Sequence, residues 1–167
     1  MPAANDKSPA PELKEMFDAE RFRRTARDLK TIDPGFDGKK FLKLALAGLD
    51  DLSLMQRLRR MTECLHATLP TDYHLALGRL RAMAPLIDKP FVTLVLPDFV
   101  GCYGLEHFDE SMAVLKFFTP FGSSEFAIRE FLRRDLKRTL GVMLKWSTDK
   151  DEHVRRLASE GCRPRLP

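Results

Sequence analysis

A chain of 167 residues, 44 % hydrophobic and 31 % charged, has the length of one domain and a globular balance, which excludes collagen-like, low-complexity and mainly disordered architectures. The net charge is +4, and all of the excess lies late: Phe121 to Pro167 holds eleven Lys and Arg against seven Asp and Glu, while residues 1–120 balance. Such a distribution suits a polyanionic partner, or equally the solvated helix faces of a slightly basic protein.

In chain order, residues 1–10 are rich in Pro and small residues without periodicity, so a disordered leader is expected ahead of a helical domain spanning 11–167. No charged start followed by an apolar stretch marks a secretory signal, and the protein is expected to be cytoplasmic. "PELKEMFDAERFRRTARDLKTI" places Leu13, Met16, Phe17, Phe22, Ala26 and Leu29 near helical spacing, with Pro11 suited to a first turn; one helix is expected from Pro11 to Ile32. "DPGFDG", Asp33 to Gly38, is a turn. Two helices follow in "KKFLKLALAGL" and "SLMQRLRRMTECLHATL", the second with Ser53 as N-cap and Pro70 beyond its end. Another opens at Thr71 or Asp72 and is bent or ended by Pro85.

The run "KPFVTLVLPDFVGCYG" has strand-like composition, yet it holds a central proline and no second strand-like run exists to pair with it, so a buried helix is expected. Its apolar part is too short for a membrane span and is interrupted by Pro97 and Asp98. Helices are then expected in "EHFDESMAVLKFF", in "SSEFAIREFLRRDLKRTLGVMLKWS" as one continuous element after a break at Thr119 to Gly122, and in the closing "DEHVRRLASE". The chain therefore reads as all-α with antiparallel neighbours.

"EFAIREFL" aligns with "DEHVRRLA": Glu125 meets Asp151, Ile128 meets Val154, Arg129 meets Arg155, and Leu132 meets Ala158. This is the pattern of an inner helix in HEAT-like repeats, which stack into a curved solenoid; here the concave face would be basic. Two unrelated amphipathic helices could also align this way.

Chemistry is sparse. Cys64, Cys102 and Cys162 form neither an even set nor a C-x-x-C pair, and read as reduced thiols. His66, His74, His107 and His153 have no metal-ligand spacing, and "GCYG" and "PGFDG" lack a phosphate-loop lysine, so neither a metal nor a nucleotide cofactor is expected. Two carboxylates remain inside the basic section. Glu125 falls in the first turn after a cap at Ser123 or Ser124. Glu160 falls at the end of the closing helix, where the dipole disfavours it and Arg156, one turn earlier, could compensate. Capping alone would account for Glu125, and a surface salt bridge for Glu160.

The runs "LKWSTDKDEHVRRLASEGCRPRLP", "FGSSEFAIREFLRRD" and "FVTLVLPDFVGCYGL" resemble the bacterial DNA alkylation repair glycosylases of the AlkC type, relatives of the AlkD type built from HEAT-like repeats. The likeness runs from about Lys30 onward and is most specific in the last forty or so residues. It implies an all-helical array that binds alkylated double-stranded DNA as a monomer, without metal or cofactor, and removes cationic N3-alkylated bases such as 3-methyladenine. On the matching positions it implies Glu125 and Glu160 as active-site carboxylates. Arg129, Arg155, Arg156, Arg163 and Arg165 follow as DNA-binding residues, three of them (Arg156, Arg163, Arg165) in the segment that faces DNA in the family. In the family "RPRLP" is followed by a tryptophan and further repeats, so the chain is expected to be an N-terminal fragment. A non-catalytic HEAT-like module that binds DNA or a protein through the same face is the alternative, and a purely structural helical fragment is a third.

Overall fold

The computed structural model describes residues 13–163, so the expected leader, Pro11 and Arg165 lie outside the described residues. Within them the architecture is all-helical. The helices are α1 (Ala19–Ile32), α2 (Gly38–Leu46), α3 (Leu54–Thr68), α4 (Tyr73–Met83), α5 (Val95–Tyr103), α6 (Phe108–Phe118), α7 (Glu125–Arg134), α8 (Leu136–Trp146) and α9 (Glu152–Glu160). Short 3-10 segments lead into α1 and α5.

Packing sorts the helices into two rows. In one, α2, α3, α5 and α7 stack in order; in the other, α1, α4 and α6 do; α8 packs on both α7 and α9. Arg138 of α8 donates to Asp109 of α6 at 2.8 Å, and its guanidinium lies 4.0 Å from the Phe108 ring centroid, so α8 extends the outer row. Contacts between α7 and the end of α9 place α9 in the inner row. The result is a curved helical-repeat solenoid whose core runs between the rows.

The elements follow from local chemistry. In α3, Ser53 occupies the N-cap and the Gln56 side chain accepts the Ser53 N–H at 2.9 Å. In α5, Val95, Leu96, Phe99 and Val100 are all buried; it is helix and not strand, with Pro97 in the first turn, where no N–H is needed. Ile128 and Val154, paired by the repeat alignment, are both core residues, as is Trp146.

Two expected long helices are each split. The Pro11–Ile32 helix is replaced by a 3-10 turn, Leu13–Phe17, and by α1, because Asp18 caps α1 by accepting the Arg21 N–H at 2.7 Å. The Ser123–Ser147 helix breaks at Asp135, which accepts the Arg138 N–H at 3.0 Å and starts α8. Both breaks have one cause: a short carboxylate competes for the backbone and ends the helix it appears to continue. The Asp33–Gly38 turn is one residue shorter than expected, because Asp37 caps α2 and Gly38 is already helical.

Candidate functional site

Glu125 opens α7, and its N–H is accepted by Ser123 Oγ at 3.2 Å. Ser124, at the cap position, turns inward instead: its buried hydroxyl accepts from Thr119 Oγ1 at 2.9 Å and donates to the Leu115 carbonyl at 3.2 Å. These bonds fix the backbone from which the Glu125 carboxylate projects. Its side chain is only 14 % exposed and sits 3.1 Å from Arg156 of α9, which is 64 % exposed.

Glu160 ends α9, as expected, but its compensating cation differs. It pairs with Arg163 at 2.8 Å, while Arg156 reaches across to α7. The expected Arg156–Glu160 pair is thus replaced by two others, because spacing within one helix carries no information about the carboxylate that a neighbouring helix presents. Arg129 donates to the Arg163 carbonyl at 2.6 Å and so ties α7 to the segment leaving α9; its Nε is buried and, among the described residues, without a hydrogen-bond partner.

Glycine permits this closeness. A Cβ at Gly161 would lie 2.8 Å from Ile128 Cγ2 and 2.8 Å from the Leu157 carbonyl. Glu125, Arg129, Arg156, Glu160 and Arg163 therefore form one alternating-charge patch over α7 and α9. Arg155 lies apart from it: its guanidinium donates to the carbonyls of Asp149 and Lys150 at 2.8 and 2.9 Å, bracing the loop before α9.

The same face continues as a groove bordered by α3, α5 and α7. Here Asp98 accepts from Thr62 Oγ1 at 2.6 Å and from Arg59 at 3.0 Å. Burial pushes its carboxyl above the usual range, against the Thr62 hydrogen bond and the Arg59 charge. Cys102 beside it is pushed up to about 11, chiefly by burial, which keeps the thiol protonated at neutral pH and a poor nucleophile. Phe126, 62 % exposed, stands at the rim next to Glu125. Sequence reading took Asp98 only as a break in the apolar run and passed over Phe126; a single carboxylate inside such a run was the available signal for the first. Among the described residues no group of three or more His, Cys, Asp or Glu side chains could hold a metal ion.

No protein-family model matches the chain. A solved structure of the Pseudomonas fluorescens alkylpurine DNA glycosylase AlkC, bound to DNA containing an abasic site analog, is 55 % identical and superposes with a TM-score of 0.91 over 94 % of this chain. Over 94 % of its length, then, the chain is similar to an AlkC-type glycosylase. The uncharacterized protein YhaZ of Bacillus subtilis (strain 168) is 43 % identical over 157 residues. The chain spans 44 % of the length of the solved AlkC chain and 44 % of YhaZ. Among the described residues, no helix is long and apolar enough to cross a membrane.

Proposed function

We propose that the protein is a DNA repair glycosylase that hydrolyses the N-glycosidic bond of cationic N3-alkylated bases such as 3-methyladenine in duplex DNA. The observation that carries this reading is the likeness to AlkC at 55 % identity, together with two carboxylates on adjoining inner helices ringed by arginines.

An alkylated base already bears positive charge, so it leaves with the bonding electron pair as a neutral molecule and needs no general acid. The sugar is left with developing oxocarbenium charge. One glutamate, Glu125 or Glu160, stabilises that charge while the other orients the attacking water and takes its proton, which leaves an abasic site. Arg156 and Arg163, more than half exposed, can exchange their carboxylate partners for phosphate oxygens as DNA arrives. Arg129, Arg155 and, outside the described residues, Arg165 complete the proposed DNA contacts. Residues 11–167 are taken as one domain acting as a cytoplasmic monomer without metal or cofactor.

The test is release of 3-methyladenine from alkylated duplex DNA by the protein and by Glu125→Gln and Glu160→Gln. Each substitution is expected to lower single-turnover release by roughly a hundredfold, the scale of one preorganised electrostatic contact. Unchanged release in both variants would falsify the carboxylate assignment. Because both glutamates are ion-paired, as purely structural carboxylates would be, a non-catalytic DNA- or protein-binding module is the second reading. Tight, salt-sensitive DNA binding with no release from any form would favour it.

A further inference from the structure

At the other end of the solenoid, α1 and α2 enclose a groove of about 750 Å³ that the proposed reaction does not use. It is lined on the flank of α1 that faces away from α4. Arg21 and Arg24, on the α4 side, are bound to Asp88 at 2.7 and 2.6 Å, whereas Arg23, Arg27 and Lys30 turn to the groove together with Lys39 of α2. The floor is apolar, with Phe36 and Ala26 nearly inaccessible.

Three carboxylates lie near these cations, of which Asp33, close to Lys30, is taken by Arg79 at 3.0 Å. Asp37 is occupied in capping α2, and Glu20 takes Arg27 at 2.7 Å and Arg23 at 3.8 Å. The Lys30 amino group donates to the carbonyls of Pro34 and Phe36 at 2.6 and 3.0 Å, which plants its charge in the wall. Lys39 is exposed and makes no ion pair among the described residues. The groove thus keeps a net positive charge over an apolar floor, a composition that suits a chain of phosphates joined by sugars.

Position favours DNA as the source. From this groove to the α7–α9 carboxylates there are three to four interhelix steps along the inner row. At about 9 Å each they span roughly 30 Å, close to the 34 Å or so of one duplex turn. A duplex that follows the row from a lesion at Glu125 and Glu160 reaches the α1–α2 end about one turn away.

We propose that the α1–α2 groove binds the DNA backbone about one helical turn from the lesion, through Arg23, Arg27 and Lys39. This inference rests on the DNA-repair reading of the α7–α9 site. The test measures affinity for lesion-centred duplexes of about 10 and about 30 base pairs, since only the longer reaches one turn from its centre. Arg23→Ala/Lys39→Ala, and Lys39→Gln alone, change exposed side chains and are checked for unaltered melting temperature. The double variant is expected to weaken the long duplex roughly three- to tenfold, to lower its salt slope by about one to two, and to leave the short duplex unchanged.

Equal affinity of variant and wild type for the long duplex overturns the proposal while leaving the α7–α9 reading intact. Absence of binding to either duplex by the wild type overturns both. Retained duplex affinity with lost binding of a poly-glutamate peptide assigns the groove to an acidic protein segment, and overturns the proposal too.

Discussion

Asp98 is a carboxylate inside a helix that is otherwise apolar, and its titration is set by the elements packed against that helix. Burial raises its pKa in the folded chain, so the folded state holds this proton more tightly than the unfolded one. Its contribution to stability is complete below the unfolded value, near 3.9, and is lost as pH rises through the folded value. Asp98→Asn, which cannot ionise, should therefore gain in melting temperature relative to wild type as pH rises above about 4; an offset that stays constant would refute this. Thr62→Val removes a hydrogen bond that holds the value down, and should raise the Asp98 pKa further in an NMR titration. At this scale the sequence was legible only in part. Glu125 and Glu160 were found by resemblance, whereas the partner of Glu125 comes from a neighbouring helix and that of Glu160 from the turn that follows its own. Arg156 has Glu160 four residues away, and yet it bonds Glu125, because α7 presents a carboxylate that is scarcely wetted.

Among the helices, the identities were readable and the interruptions were not. Apolar periodicity marks the buried face of α3, α6 and α9 without ambiguity, and the elimination of a strand at α5 is borne out by its buried helical turns. Asp18 and Asp135 escaped notice because aspartate is equally at home on a solvated helix face and at an N-cap. Asp135→Ala should cost about 1 kcal/mol in urea denaturation, the usual worth of a lost cap; no change would mean that the α7–α8 break is held by packing alone. Gly161→Ala should cost more, roughly 1–3 kcal/mol, because Ile128 and the Leu157 carbonyl would have to move away. The same substitution should weaken DNA binding, since it pushes the end of α9 off α7. Full affinity in a destabilised variant would separate the packing from the site.

Across the whole molecule, charge was the clearest signal and also the one most easily misread. The late excess of Lys and Arg was visible, but the even balance over residues 1–120 concealed a second basic region: α1 through α2 carries eight Lys and Arg against four Asp and Glu. Averaging over a long window cancels this against acidic stretches that fold elsewhere. All-helical architecture followed from the absence of a partner strand, while the two rows and the register between α7 and α9 are tertiary facts with no local signature. Arg155 illustrates the difference. It is proposed among the DNA contacts, yet its guanidinium holds the loop before α9, so Arg155→Ala should lower the melting temperature by several degrees whether or not DNA binding weakens.

That loop is held from both sides, by Arg155 and by the Lys116–Asp149 pair, and it has little slack. Helix α8 therefore works as a ruler. Its eleven residues set the offset between α7 and α9, and hence which arginine arrives opposite Glu125. One residue added within α8 would turn the loop and α9 by about 100° relative to α7. A chain free to vary its outer surface is in this way bound to keep the length of a helix that contributes no side chain to the α7–α9 patch.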